Sequence, residues 1–181
     1  MNLRKLFEMQ RELDERIVRE KGLEGQNLLP NKILALQVEL AELANEWQGF
    51  KYWKRNREPR TVLTEIPSYA GIPFFADAKT RNPMLEEYVD CLHFLLSIGL
   101  ESEIGTFTGD ELMPIKMGTV EIQFITLFKA TVTFLEDINY YPDMWELFLG
   151  LGEMLGFTWN EVEEAYIAKN KINHQRQDGG Y

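Results

Sequence analysis

Hydrophobic residues return every three or four positions along most of this chain, with charged residues between them, and that period predicts helices. The first runs over 3–21, where Leu6, Met9, Leu13, Ile17 and Val18 form the stripe and Gly22 and Gly25 mark the stop. The second covers 31–50. Pro30 suits its first turn, and Leu36, Leu40, Leu43, Trp47 and Phe50 share one side. The third covers 84–100, with Asn82 as N-cap and Pro83 in the first turn. It is apolar nearly all round, the pattern of a buried helix. A fourth, over 120–138, presents Phe124, Leu127, Phe128, Val132, Phe134 and Leu135. Pro142 opens a fifth over 143–155, which Gly156 ends. Thr158 and Glu161 form a capping-box pair ahead of a sixth, from 159 to about 175.

Between the second and third helices, 55–82 holds Pro59, Pro67, Gly71 and Pro73, which exclude a continuous helix. Segments 61–66 and 72–75 are β-prone and predict a small hairpin across 67–71. Residues 105–118 read as a loop. The expected fold is all-α: one domain over 1–181, a bundle of about six helices with an irregular insertion at 55–82. A chain of 181 residues, 45% of them hydrophobic, is long and apolar enough for a sizeable core. No apolar run is long enough to span a bilayer, and no signal-peptide pattern opens the chain. A single cysteine, Cys91, excludes an intrachain disulfide and fits a reducing compartment, so a cytoplasmic protein is expected. The formal net charge of -10 argues against a nucleic-acid partner, whose backbone would be repelled.

The charged residues beside the stripes change the picture. Glu39 and Glu42 stand three apart in the second helix, and Glu87 and Asp90 three apart in the third. Residues at that spacing project side by side. Taken alone, Glu39 and Glu42 read as a solvated shoulder. Asp90 does not, because its helix is apolar nearly all round; a buried carboxylate must neutralise or find a cation. Two such pairs on facing helices would gather four carboxylates around one point, which hard divalent cations such as Mg²⁺ or Mn²⁺ satisfy. Ions there could bridge phosphate oxygens and activate water, so the pattern points to metal-assisted hydrolysis of a phosphoanhydride. His93 reads as a hydrogen-bonded core histidine rather than a ligand. Lys169, Asn173 and Arg176 share a face of the last helix; they suit an anion or an ordinary solvated terminus equally. The run Phe50-Lys51-Tyr52-Trp53-Lys54 could stack a base or simply close a helix. Gln10 and Asp14, four apart, read from spacing alone as solvated.

These residues carry a resemblance. Glu39-x-x-Glu42 followed by Glu87-x-x-Asp90 resembles the paired acidic motif of the all-α NTP pyrophosphatases. Together with Tyr52-Trp53-Lys54, the stretch from Glu87 through Asp90 to His93-Phe94, and the tail Lys169-Asn170-x-x-Asn173-x-x-Arg176-Gln177-x-x-Gly180-Tyr181, the chain is similar to the dimeric all-α dUTP diphosphatases. The resemblance implies conversion of dUTP to dUMP and pyrophosphate by a homodimer. It implies Mg²⁺, with Mn²⁺ as an alternative, on Glu39, Glu42, Glu87 and Asp90, with Glu39 or Glu42 orienting the attacking water. It places Lys169, Asn173, Arg176 and Tyr181 on the phosphates. Phe94 would pack on the deoxyribose, Trp53 on the uracil ring, and Gln10 and Asp14 where the family reads the base. Asp14 stands where the family would present an amide, and the longer interval between Glu42 and Glu87 makes 55–82 an insertion.

Three alternatives compete. One keeps the chemistry and changes the base, to dCTP or a damaged nucleotide. A second is a di-iron carboxylate bundle, which needs two Glu-x-x-His motifs where this chain offers only Asp90-x-x-His93. A third is a non-enzymatic helical interaction protein.

Overall fold

A computed structural model describes residues 3–69, 72–73, 75–102, 104 and 112–180. Six helices carry it: α1 (Leu3–Lys21), α2 (Leu29–Trp47), α3 (Pro83–Glu101), α4 (Val120–Glu136), α5 (Tyr141–Met154) and α6 (Trp159–Asp178). Their apolar stripes meet in one core to which all six contribute, with Leu6, Leu40, Leu92, Leu127, Trp145 and Tyr166 among its members. α3 is the central element, touching α1, α2, α5 and α6, as its nearly all-apolar sequence requires. No described helix is long and apolar enough to cross a membrane.

Helix ends follow local chemistry. Asn82 accepts from the Leu85 N–H at the start of α3, and Thr158 and Glu161 close the capping box of α6. Where bounds depart from the sequence expectation, a cap explains it. α2 starts at Leu29 rather than 31, with Pro30 in its first turn, and stops at Trp47 rather than 50. Gln48 takes the left-handed conformation (φ 62°) and returns its N–H to the Ala44 carbonyl. Phe50 to Lys54 therefore lie beyond the helix rather than closing it. α4 ends at Glu136 because Asp137 turns and caps a short 3₁₀ turn, Ile138–Tyr140, that feeds α5 directly. α6 continues to Asp178, three residues past the expected stop.

The insertion pairs differently from the expected hairpin. β1 (Leu63–Glu65) pairs antiparallel with β4 (Lys79–Arg81), with Leu63 opposite Arg81 and Glu65 opposite Lys79. β2 (Ser68–Tyr69) pairs with β3 (Ile72–Pro73) inside that ladder. The sequence reading joined the strand around 63–65 to the segment 72–75. Cross-strand side-chain pairs accompany the actual pairing: Arg81 reaches Glu65 at 2.9 Å across the ladder, and Thr64 faces Thr80. Of the expected loop at 105–118, residues 105–111 lie outside the described residues. Residues 112–117 are irregular and tie to α5 through the Ile115 N–H and the Glu146 carbonyl.

Gly150 of α5 marks the tightest approach among the described glycines. A Cβ there would overlap the backbone carbonyl of Ile115 and crowd Gln123. The Gln123 amide donates to the Ile115 and Leu147 carbonyls at 2.8 and 2.7 Å. Gly150→Ala must move backbone, so it is expected to destabilise the protein by about 1–3 kcal/mol, read by denaturant unfolding. An unchanged midpoint would refute the close approach.

Candidate active site

α2 and α3 form the most extensive helix pair, and the acids line its margin. On α2, Leu36, Leu40 and Leu43 are buried, which leaves Glu39 half-buried at the edge of the stripe and Glu42 exposed beyond it. On α3, Tyr88, Val89, Cys91 and Leu92 are buried, leaving Glu87 and Asp90 half-buried at the facing edge. Glu39, Glu42 and Glu87 each bring a carboxylate oxygen within 4.8 Å of the others. Asp90 lies outside that trio, and its Oδ2 accepts from the Lys169 ammonium of α6.

The electrostatics follow from this crowding. Burial, then Asp90, Glu39 and Glu42, push the Glu87 carboxyl up to about 7. Burial, then Asp90 and Glu42, raise Glu39. Burial raises Asp90 as well, although Lys169 and Arg176 pull the other way. A half-buried group of carboxyls that cannot all ionise side by side lacks positive charge. Oxygen donors only, close together and short of a counter-ion, fit a hard divalent cation. The residues present thus suit the metal that the motif implies. His93 is not part of the acidic group, and its ring is engaged elsewhere.

α6 packs along α3 and α1, anchored by buried Val162, Tyr166 and Asn170. That places half-buried Lys169 and Asn173 and exposed Arg176 along one side of the helix. The Arg176 guanidinium donates to the Asn173 side-chain oxygen at 3.4 Å. Tyr181 lies outside the described residues.

Gln10 and Asp14 are not the solvated pair that spacing suggested. Gln10 is 4% exposed. Its Oε1 accepts from Tyr166 Oη at 2.9 Å and sits 2.7 Å from His93 Nδ1, and its Nε2 donates to Asp14 Oδ1 at 2.7 Å. Asp14 Oδ2 in turn accepts from the Ser97 hydroxyl and, at 3.4 Å, from the Lys32 ammonium. Lys32 also reaches Glu101 at 2.7 Å. The reason is the wheel position: Leu6 and Leu13 bury the same side of α1 and carry Gln10 inward with them. With Gln10 Oε1 facing two neighbours and its amide nitrogen bound to Asp14, the His93 Nδ1 carries the hydrogen. Burial pushes His93 down to about 3, so the ring is neutral, and it stacks on Tyr166 at 4.2 Å. Lys32, Ser97 and Glu101 escaped the sequence reading, and Tyr166 was given no role in it. Their only signal was helical phase, which marks Tyr166 and Ser97 as core and says nothing of their partners.

Trp53 is 62% exposed in the turn after α2, edge-on to Phe50 at 5.8 Å and Tyr52 at 5.1 Å. The Lys51 ammonium lies 5.5 Å from the Phe50 ring. Phe94, one helical turn beyond Asp90, is half-buried against the core.

The family model described as dUTPase matches residues 2–66 and 76–181. Its interruption at 67–75 falls inside the 55–82 insertion and takes in the inner pair β2–β3. No curated protein matches the chain. A match over nearly the whole length takes in α2, α3 and α6, and with them every acid and base of the site described above. The chain belongs to the dUTPase family and hydrolyses dUTP to dUMP and pyrophosphate.

Proposed function

We propose that Glu39, Glu42, Glu87 and Asp90 hold Mg²⁺, or Mn²⁺ in its place, and that dUTP is hydrolysed on this margin of α2 and α3. The observation that carries the reading is the meeting of Glu39, Glu42 and Glu87 within 4.8 Å, short of positive charge. The bound cation would supply charge for the triphosphate oxygens and lower the pKa of the attacking water. Glu39, half-buried and raised in pKa, orients that water and takes its proton. Lys169, Asn173 and Arg176, with Tyr181, hold the phosphates and neutralise charge on the leaving pyrophosphate. Phe94 packs against the deoxyribose and Trp53 covers the uracil ring. Half-buried Asp14 reads the base, with its carboxylate oriented by the amide of buried Gln10; an acceptor there suits uracil because N3 of uracil carries a hydrogen. The single cysteine, buried and free, fits a cytoplasmic enzyme.

The enzyme is a homodimer in this reading, built on the outer face of α2 and α4. Leu34 and Val38 of α2 are 62% and 46% exposed. Ile125, Val132 and Leu135 of α4 are each at least half exposed, at helical spacing. The two helices touch, and Gln37 donates to Thr131 at 2.8 Å between them, so these exposed apolar residues lie on adjoining helices of one surface. A second copy covering that surface would remove it from water.

Three outcomes test these assignments. Glu39→Gln keeps the shape and removes one charge. Its turnover should fall about 10²–10⁴-fold while the melting temperature holds or rises, because repulsion is relieved. Retained turnover would remove Glu39 from the mechanism. The pH dependence has a definite sign. Glu87 is raised from 4.5 to about 7, so the metal-free fold binds its proton more tightly than the unfolded chain does. That contribution to stability is present below about 4.5 and is lost as pH rises towards 7. The gain in melting temperature on adding Mg²⁺ should therefore grow over this range and level off above it; a flat gain would separate Glu87 from the metal. Finally, light scattering should report twice the chain mass, and the double variant Ile125→Glu, Val132→Glu should report one chain. A wild type that scatters as one chain would dismiss the dimer.

A further inference from the structure

Asp90 and Lys169 pair across α3 and α6, each with 20% of its side chain exposed. The other three acids gather without Asp90. Lys169 is thus the cation that half-buried Asp90 requires, and it holds one oxygen of the carboxylate that a divalent ion would also engage. It is also the first base of the stripe given above to the phosphates. One ammonium cannot grip Asp90 and a phosphate with full strength at once. Nor can Asp90 Oδ2 hold both an ammonium and a metal at a bond length of roughly 2.0–2.1 Å without forcing two cations together.

We propose that Lys169 is a tethered counter-cation that competes with the divalent ion for Asp90, so that nucleotide and metal load this site cooperatively. The inference rests on the metal-site reading above and adds its regulation. Without nucleotide, Lys169 occupies Asp90 and weakens metal binding. An incoming phosphate draws the ammonium away, and Asp90 is released to join Glu39, Glu42 and Glu87. Coupling of this kind is reciprocal: metal on Asp90 frees Lys169 for the phosphates to the same degree that phosphate on Lys169 frees Asp90 for metal. Arg176 acts on Asp90 through charge alone, and Glu86 opposes it. Among the described residues, only Lys169 donates to the carboxylate.

The test is Mn²⁺ binding to the whole protein without nucleotide, at one pH above 7, read from the electron paramagnetic resonance signal of the free ion. Lys169→Met removes charge and donor together, and Mn²⁺ should bind about tenfold tighter than to wild type. Lys169→Gln, a second neutral variant, should tighten it in the same sense and serves if Lys169→Met does not fold. Lys169→Arg keeps the charge and offers Asp90 a planar fork, so binding should stay at the wild-type level or weaken. Arg176→Gln removes a charge that does not touch Asp90 and should tighten binding by no more than about threefold. Neutral Lys169 variants that bind Mn²⁺ no tighter than wild type overturn the proposal. So does an Arg176→Gln effect as large as theirs, which would mean a diffuse field rather than competition at one carboxylate. Failure here separates from failure of the site reading. Unchanged Mn²⁺ affinity in an enzyme that loses turnover with Glu39→Gln sinks the competition alone. Tightened affinity in an enzyme indifferent to Glu39→Gln sinks the catalytic assignment alone.

Discussion

Repulsion between carboxylates is the constraint around which this molecule is arranged. Leu36, Leu40 and Leu43 on one helix and Val89, Cys91 and Leu92 on the other are fully withdrawn from water, and they fix how α2 and α3 face each other. Once those stripes meet, the acids between them have nowhere else to go. Glu39, Glu42 and Glu87 are brought together by hydrophobic packing that none of them contributes to. The fold thus holds like charges at short range in a partly dry margin, where each interaction is stronger than in bulk water. A rigid, charge-deficient cluster of this kind is pre-organised for a cation, and through it for an anionic substrate.

Behind the acids lies a second polar system with the opposite character. Asp14, Gln10, His93 and Tyr166 form a buried chain of hydrogen bonds that is closed at one end by Lys32 and Ser97. Each bond fixes the orientation of the next: the ammonium and the hydroxyl fix the carboxylate, the carboxylate fixes the amide, and the amide fixes the imidazole tautomer. The acidic margin is tense, the network behind it is bonded throughout except at the buried His93 Nε2, and α3 carries residues of both. A helix that must serve two polar systems explains why α3 departs from pure hydrophobicity at Glu87, Asp90, His93 and Ser97 within its middle turns.

Much of this was legible in the residues. The six helices follow from apolar period and from caps such as Asn82 and the Thr158–Glu161 box, because both are local effects. The placing of Glu39, Glu42 and Glu87 at one margin was readable from their phase beside two stripes. What the sequence hid was partnership across space. Nothing near Gln10 tells that Tyr166, 156 residues away, will satisfy it, or that Lys32 will stand beside Asp14. Spacing made Gln10 solvated, because glutamine seldom sits in a core; burial of its neighbours Leu6 and Leu13 overrode that preference. The insertion failed for the same reason in a sheet, where register is decided by the partner strand. Residues 72–75 have the better β propensity, yet Lys79–Arg81 takes the place opposite Leu63–Glu65.

The β1–β4 ladder has a consequence for how this chain tolerates change in length. Arg60 is held to α2 through the Glu46 carbonyl, and its own carbonyl receives the Met84 N–H at the start of α3. The ladder then clasps both ends of the excursion just beyond those anchors. Residues added or removed past the clasp do not alter the distance that the chain must cover between the two acid-bearing helices. The segment can therefore drift in size and composition while the acidic margin stays in register, which is where the family pattern itself breaks off and resumes.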